Sequence, residues 1–407
     1  MKKLIPLLLV LTTLKTVAQN PIEEALKSDP FFSYYIKNKD TLRIQIFYTE
    51  INRNKHNTPS FKEYTFNLNN DLYFYPASTV KMPIALLALE KLNEMKIKGV
   101  DKSTMMLTDS AYALQDHVYN QPNSADGKPT IENYIKQIFL VSDNDAYNRL
   151  YEFLGQDYIQ QKLTAKGYPD AIIRHRLQLS RTLDQNANTN PVNFYDSAGN
   201  LIFAQPAHLS KAQFPALPAR LGKGYYSRGK LINEPFSFAT KNRVYLQDLH
   251  HMLQSVLFPQ QISKKQRFNL TNDDYAFVKK HMSMFPSESD WPNYDTAHYW
   301  DAYCKFLYYG SEKGKLNPNF RIFNKVGDAY GFLIDVTYVA DLENNIEFML
   351  SAVISCNTDG IYNDDKYAYD EIGYPFLKKL GQAMHTYELK RKRDRNPELS
   401  AFKLNYK

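Results

Sequence analysis

The stretch "YFYPASTVKMPIALLALEKLNE", residues 73–94, places a serine and a lysine at the start of an apolar helix. The apolar residues of this stretch lie around most of the helix circumference, which predicts a helix buried on nearly all sides. Ser78 and Lys81 are three positions apart and therefore share one helix face. Ser78 could simply cap the helix while Lys81 reaches solvent, but a buried helix leaves Lys81 little solvent to reach.

This spacing suits nucleophilic catalysis. A serine hydroxyl becomes a good nucleophile only when a base removes its proton. If burial and a nearby cation lower the pKa of Lys81, its neutral amine can be that base. A serine in the first turn also lies beside free backbone N–H groups and the positive helix end, both of which favour the oxyanion of acyl transfer.

The S-x-x-K pattern alone is weakly specific, because it occurs three times, at Ser78/Lys81, Ser227/Lys230 and Ser400/Lys403. Only the first pair opens a long apolar helix after a strand. Two further motifs follow it in order: "SDN" at residues 142–144, between two predicted helices, and "KVG" at residues 325–327, on a predicted strand. Three such motifs in this order, each in a fitting structural context, are much harder to obtain by chance than one.

Strand patterns lie near both ends of the chain and helical patterns fill the middle. We therefore predict an α+β fold, with an antiparallel sheet built from both termini, flanking helices and an inserted helical domain. The sheet subdomain comprises residues 19–77 and 313–407, and the helical subdomain comprises residues 78–312 with an inserted segment at about 193–243. A cleft between the two parts would hold the site.

With these motifs the chain resembles the penicillin-recognising serine hydrolases, particularly class A β-lactamases, whose motifs are S-x-x-K, S-D-N and K-[TS]-G. The resemblance extends along "DGKPTIENYIKQIFLVSDNDAYNRLYEFLG" and "NKVGDAYGFLIDVTYV". It covers most of residues 21–180 and 244–385. It implies a β-lactamase/transpeptidase-like fold and a serine acyl hydrolase.

The resemblance also implies roles for single residues. Ser78 would be the acylated nucleophile, and Lys81 would be its base. Ser142 would relay a proton to the leaving nitrogen. Asn144 would orient Lys81 and bind the substrate amide.

The third motif and its neighbour complete the implied site. Lys325 would bind a substrate carboxylate and help to control the protonation state of Lys81. Gly327 would leave room for substrate. The backbone N–H groups of Ser78 and Asp328 would form the oxyanion hole.

Two departures from the family pattern bear on activity. Class A enzymes carry a glutamate on the omega loop that activates the deacylating water. The corresponding residues 174–192 contain no glutamate; the acids in or near them are Asp184 and the more distant Asp170. Val326 replaces the usual Thr or Ser, a change that costs about 1–3 kcal/mol of substrate binding if the lost hydroxyl leaves a buried partner.

Composition and the N-terminus predict where the protein works. Residues 1–18 resemble a secretory signal peptide, with an apolar run too short to span a membrane. We expect a secreted or periplasmic monomer without a transmembrane segment, metal or cofactor. The formal net charge is +7 and part of it lies in "KRKRDR", residues 390–395, but export argues against nucleic acid as a partner. Whether Cys304 and Cys356 pair is left open.

Three functions remain open at this stage. The first is hydrolysis of a β-lactam or related amide, and the second is a D,D-peptidase, an esterase or a slowly deacylating penicillin-binding protein. A third alternative, from another class, is a non-catalytic relative that binds peptidoglycan or a protein. The expected substrates are small molecules or cell-wall peptides.

Overall fold

The structure, a computed structural model, describes residues 20–406. The expected signal peptide, residues 1–18, lies outside them. Eleven helices are found in this range: α1 Pro21–Ser28, α2 Ser33–Lys37, α3 Lys81–Met95, α4 Ile131–Val141, α5 Asn144–Leu154, α6 Gln156–Ala165, α7 Leu183–Ala187, α8 Leu246–Leu257, α9 Asn272–Ser283, α10 Phe306–Tyr309 and α11 Tyr374–Lys390.

The described chain also forms fifteen strands, most of them short outside the main sheet. They are β1 Gln45–Arg53, β2 Pro59–Phe66, β3 Met105–Thr108, β4 Asn188–Thr189, β5 Val192–Tyr195, β6 Leu201–Gln205, β7 His208–Leu209, β8 Arg220–Leu221, β9 Gly224–Ser227, β10 Lys230–Ile232, β11 Phe236–Ser237, β12 Phe320–Ala329, β13 Phe332–Asp341, β14 Ile346–Ser355 and β15 Ile361–Tyr362.

The main sheet is antiparallel and has the strand order β12-β13-β14-β1-β2. Its strands therefore come from both ends of the chain, and the predicted fold class is confirmed. Successive residues point to opposite faces of a strand. Accordingly, Phe47 of β1 packs in one core layer, whereas Ile46 and Tyr48 pack in the other.

Helices cover both faces of this sheet. α11 packs on β14 and against α1, while α8 packs on β1, β13 and β14. The apolar helix α3 lies among α4, α5 and α6, and eleven of its residues are buried. Burial on nearly all sides follows from its apolar residues, which occupy most of the helix circumference.

The stretch 193–243, predicted as an inserted segment, forms several short strands. The hairpin of β5 and β6 is present and pairs with β3. The following residues form β8 to β11, and β9 also pairs with β15. Phe236 stacks on Tyr330 and Tyr362, and Phe238 contacts the same two rings edge to face, so this segment is attached beside the turn between β12 and β13.

Part of the basic C-terminal run is folded onto the sheet. Arg391 donates to Glu388 at 2.8 Å and to the Ile51 carbonyl of β1 at 3.0 Å. Arg393 also pairs with Glu388, whose side chain is fully buried. These two arginines therefore serve a structural role. Within the described chain, no helix is both long and apolar enough to cross a membrane.

Candidate active site

The serine and lysine of the first motif lie where the chain turns into α3. Residues Ala77–Val80 form a 3₁₀ turn, and α3 begins at Lys81. Ala77 has a φ of +47°, a left-handed conformation that costs energy for a residue with a Cβ atom and occurs often at functional sites. Ser78 is partly exposed, whereas Lys81 is fully buried. The alternative in which Lys81 reaches solvent is therefore excluded.

The three motifs meet in the structure, with Ser142 of the second motif between the lysines of the first and the third. Lys81 Nζ donates to the carbonyl oxygen of Ser142, and it also donates to Ser142 Oγ at 3.2 Å. Lys325 Nζ donates to the same Oγ at 2.8 Å and to the Val326 carbonyl at 2.9 Å. One hydroxyl thus lies between two amines. Ser142 is held there by a left-handed backbone, φ +60°, at the end of α4.

The environment of Lys81 favours its neutral form. Burial lowers the pKa of Lys81 well below its usual value, and the positive charge of Lys325 lowers it further, against the weaker opposing effect of nearby acids. Burial also lowers the pKa of Lys325. Among residues 20–406, no carboxylate forms an ion pair with either lysine. Lys81 is therefore suited to accept a proton.

A close contact between two backbones forms the floor of the site. A Cβ atom on Gly327 would lie 2.9 Å from the Pro76 carbonyl and 3.0 Å from the N atoms of Ser78 and Thr79. Only glycine therefore lets β12 approach the 3₁₀ turn so closely. Within the described chain, no acceptor is found for the Ser78 N–H, which leaves this group free to bind a substrate oxygen.

Asn144 is placed differently from the expectation. Its Nδ2 donates to Gln178 Oε1 at 2.9 Å, and it makes no hydrogen bond to Lys81. Gln178 has a left-handed backbone, φ +60°, and lies on the loop expected to carry a deacylating base. An amide side chain binds water but does not remove its proton at neutral pH.

The two acids considered for this loop lie elsewhere. Asp184 accepts a hydrogen bond from the Tyr112 hydroxyl at 2.5 Å, and Asp170 pairs with Arg243 at 3.0 Å. Neither lines the cavity at Ser78. The loop is instead held by Arg176, whose Nε donates to Glu152 Oε1 at 3.0 Å.

A cavity of about 660 Å³ opens at Ser78. Its walls are built by the Ser78 turn, the α4–α5 junction, the loop with Gln178, the residue Lys241, the end of β12, an aromatic segment before β12 and the start of α11. The residues that line it include Tyr75, Ala77, Ser78, Ser142, Asn144, His175, Arg176, Gln178, Lys241, Trp300, Tyr303, Cys304, Val326, Asp328, Tyr330 and Tyr374. The inserted segment at about 193–243 thus reaches the site through Lys241, and the segment before β12 reaches it through Trp300 and Tyr303.

The two cysteines do not form a disulfide. Cys304 and Cys356 are both buried free thiols. Cys304 lines the cavity, and burial raises the pKa of its thiol. Cys356 lies just after β14, where its Sγ would be 2.7 Å from a Cβ placed on Gly373.

Solved structures align with most of the chain at low identity. A β-lactamase from Sphaerobacter thermophilus has 13% identity over 89% of this chain and 95% of that chain, with a TM-score of 0.47. A β-lactamase from Xanthomonas campestris pv. campestris has 12% identity, 90% and 98% coverage and a TM-score of 0.47. PBP-A has 15% identity, 90% and 96% coverage and a TM-score of 0.46. No curated protein matches the sequence.

The family model described as "Beta-lactamase enzyme family" matches residues 35–270, more than half of the chain. The match includes Ser78, Lys81 and Ser142. Lys325 lies beyond the end of the match, and the fold brings it within hydrogen-bond distance of Ser142. The chain belongs to the β-lactamase enzyme family.

Proposed function

We propose that this protein is a serine hydrolase that transfers an acyl group through Ser78, with Lys81 as the base. One observation carries the proposal: the Ser142 hydroxyl accepts hydrogen bonds from Lys81 and Lys325 at the wall of the cavity that Ser78 lines. Burying two cationic groups without a carboxylate is costly in a purely structural role. A site that needs a neutral amine beside a cation explains the arrangement.

The reaction would begin at the serine. The neutral Lys81 amine takes the Ser78 Oγ proton while Oγ bonds to the substrate carbonyl carbon. No hydrogen bond joins Ser78 Oγ to Lys81 among the described residues, but such bonds are often long in ligand-free enzymes and tighten with substrate. The proton then passes through Ser142 to the leaving nitrogen, the carbon–nitrogen bond breaks, and an acyl-enzyme remains.

The oxyanion of the tetrahedral intermediate would bind to the backbone N–H groups of Ser78 and Asp328. The approach of Gly327 to the Ser78 turn supports this pairing, because it puts the end of β12 beside the unoccupied N–H of Ser78. Backbone donors fixed in this way stabilise the transition state without reorganising during the reaction. Lys325 would add positive charge for an acidic group of the substrate.

Hydrolysis of the acyl-enzyme would be slow with a β-lactam. Gln178 occupies the loop position at which a carboxylate could activate water, and its amide accepts from Asn144. Val326 has no hydroxyl for the antibiotic's carboxylate. We therefore propose a slowly deacylating, penicillin-binding type of enzyme for β-lactams, with a related amide, ester or D,D-peptide as the alternative substrate.

The cellular setting belongs to the same proposal. We propose that residues 1–18 direct export and are then removed, and that the mature chain works as a monomer in the periplasm or outside the cell. The division into a sheet subdomain, residues 19–77 and 313–407, and a helical subdomain, residues 78–312, is likewise proposed, with the cleft between them as the site. Cell-wall peptides are available as substrates in that compartment.

The test is covalent labelling. The protein is incubated with a fluorescent penicillin and, separately, with a fluorophosphonate, and its intact mass is followed over hours. We expect one adduct at Ser78 with each probe and slow loss of the penicilloyl adduct. The Ser78→Ala variant should take neither label, whereas Ser227→Ala should label like the wild type.

The outcomes separate the remaining functions. No labelling of folded wild-type protein by either probe would contradict the proposal and favour a non-catalytic binding protein. Labelling by the fluorophosphonate alone would favour an esterase or peptidase that does not accept β-lactams. Rapid loss of the penicilloyl group would mean that another group activates water.

A further inference from the structure

Lys241 stands out in the cavity because it is a cation with no acidic partner. It lines the cavity at Ser78 and is partly exposed. Among residues 20–406 its ammonium forms no ion pair with any carboxylate. Arg176 also lines the cavity, but its guanidinium is occupied by Glu152 and by backbone carbonyls of residues 185 and 188.

The position of Lys241 is fixed from two sides. Its Nζ donates to the Tyr330 hydroxyl at 3.0 Å. The same Nζ lies 5.3 Å from the centre of the Tyr330 ring and 6.0 Å from that of Phe236, within the range of a cation–π contact. An ammonium has three donors, and within residues 20–406 a single hydrogen bond, to Tyr330, uses one of them. The remaining donors can bind a ligand.

The surroundings place Lys241 on the side of the cavity that an acyl group would enter. The next residue, Asn242, donates its N–H to His175 Nε2 at 3.2 Å, and His175 precedes Gln178 on the same loop. Tyr330 directly follows the end of β12. Lys241 therefore lies between the Gln178 loop and the turn after β12, on the side where Asn144 would bind the substrate amide.

The charges elsewhere in the cavity do not neutralise this cation. The other unpaired charge on the cavity wall is the Asp328 carboxylate. Burial raises the pKa of this carboxyl group, and the nearby Lys325 opposes that shift. Burial lowers the pKa of His175 to about 4, and the positive charge of Lys241 lowers it further. No ion pair joins Asp328 to Lys241 in the part of the chain that the structure describes.

We propose that Lys241 binds an anionic group, a carboxylate, on the acyl side of the substrate and so determines which acyl groups this enzyme accepts. This inference rests on the proposed acyl transfer at Ser78. The residue comes from the end of the extra stretch 193–243, which therefore contributes to specificity. Tyr330 positions the ammonium and takes no part in bond making.

Two penicillins that differ only in the required carboxylate provide the test. The rate of Ser78 acylation is measured by intact mass with benzylpenicillin and with α-carboxybenzylpenicillin. Lys241→Met should lower the rate for the carboxylated compound relative to benzylpenicillin by about tenfold, the loss expected for a charge-assisted hydrogen bond. Lys241→Arg should keep most of the wild-type ratio, and Tyr330→Phe should give an intermediate one.

The control variant is Lys264→Met, which removes an exposed lysine outside the cavity and should leave the ratio unchanged. An equal ratio in wild type and Lys241→Met would overturn the proposal. If no penicillin acylates Ser78, the dissociation constants of the two compounds are measured calorimetrically on Ser78→Ala and on Ser78→Ala with Lys241→Met. The same tenfold change in their ratio then supports the carboxylate site although acyl transfer has failed, and an unchanged ratio overturns it.

Discussion

The three S-x-x-K pairs have the same spacing and very different surroundings. Lys81 is fully buried one turn after Ser78. Ser227 and Lys230 face each other across the β9–β10 hairpin, and both are exposed. The third pair, at residues 400 and 403, lies at an exposed 3₁₀ turn near the C-terminus. Identical residue types at identical spacing thus occupy one interior site and two surface sites.

The difference shows what makes a lysine into a base. A hydrated lysine is protonated at neutral pH and cannot accept a proton from serine. Lys81 is removed from water, and the charge of Lys325 opposes a second charge beside it. The spacing brings the two groups together, but burial and a neighbouring cation supply the chemistry. Each prediction below alters one of these features.

The largest effect is expected from removing the amine of Lys81, and the lysines of the two surface pairs serve as controls. Lys81→Met should lower the rate of Ser78 labelling by about 10³-fold, since general base catalysis contributes about 10²–10⁴-fold. Lys230→Met and Lys403→Met should leave the rate unchanged. The rate is followed by intact mass with the fluorophosphonate. A normal rate in Lys81→Met would contradict its role as base, provided that the unfolding temperature of the variant shows an intact fold.

The sequence was a good guide wherever regular structure carries the residues. Helix α3, the helices α4 and α5 and the strand β12 each have a clear apolar pattern, so these elements could be predicted, and the family resemblance implied that Lys81, Ser142 and Lys325 belong to one site. The two residues that were missed, Gln178 and Lys241, lie in irregular segments. No periodicity places such segments, and only the folded structure brings them to the cavity.

Asn144 shows a different limit. Its motif predicted that it belongs to the site, and it does line the cavity. Its hydrogen-bond partner could not be predicted, because an amide side chain bonds to whichever group lies nearest. Here that group is Gln178, on the loop that contains no glutamate. The motif therefore fixed the residue's neighbourhood and left its contact undetermined.

The second prediction restores a base on that loop. Gln178→Glu replaces an amide by a carboxylate of the same length beside Asn144. We expect the penicilloyl-enzyme to hydrolyse about 10²-fold faster, the low end for general base catalysis, while acylation changes little. Loss of the adduct is followed by intact mass after removal of free penicillin. Gln178→Met is the matched control and should deacylate as slowly as the wild type.

An unchanged deacylation rate in Gln178→Glu would contradict the proposed reason for slow turnover. The adduct would then persist for another cause, such as the lack of a water site beside the ester. Both variants are measured at neutral pH, at which a solvent-exposed glutamate is ionised. An unchanged deacylation rate then cannot be explained by a protonated glutamate.

The third prediction concerns the cation beside Lys81. Burial is the main reason for the low pKa of Lys81, and Lys325 is the second. A base acts when it is neutral, so the acylation rate should rise with pH through the pKa of Lys81. Lys325→Met removes the repelling charge, raises that pKa and should move the rising limb to higher pH. At neutral pH this should lower the rate by about tenfold.

A half-buried lysine outside the cavity is the control for this experiment. Burial also lowers the pKa of Lys91, to about 8, but its amine contacts the Phe153 carbonyl and Gln205, and none of these three residues lines the cavity. Lys91→Met should leave the pH profile in place. A profile that shifts equally in both variants would point to a general loss of stability rather than to coupling between the two active-site lysines.

The smallest effect is expected where the backbones of β12 and the Ser78 turn meet. In Gly327→Ala the new Cβ would lie 2.9 Å from the Pro76 carbonyl and 3.0 Å from the Ser78 N atom, so the strand must move by a few tenths of an ångström. We expect acylation to fall several-fold, because the donors of the oxyanion hole then separate, with little change in the pH profile. Measuring rate and profile together distinguishes this variant from Lys325→Met: a shifted profile in Gly327→Ala would mean that the glycine governs the lysines and not the oxyanion hole.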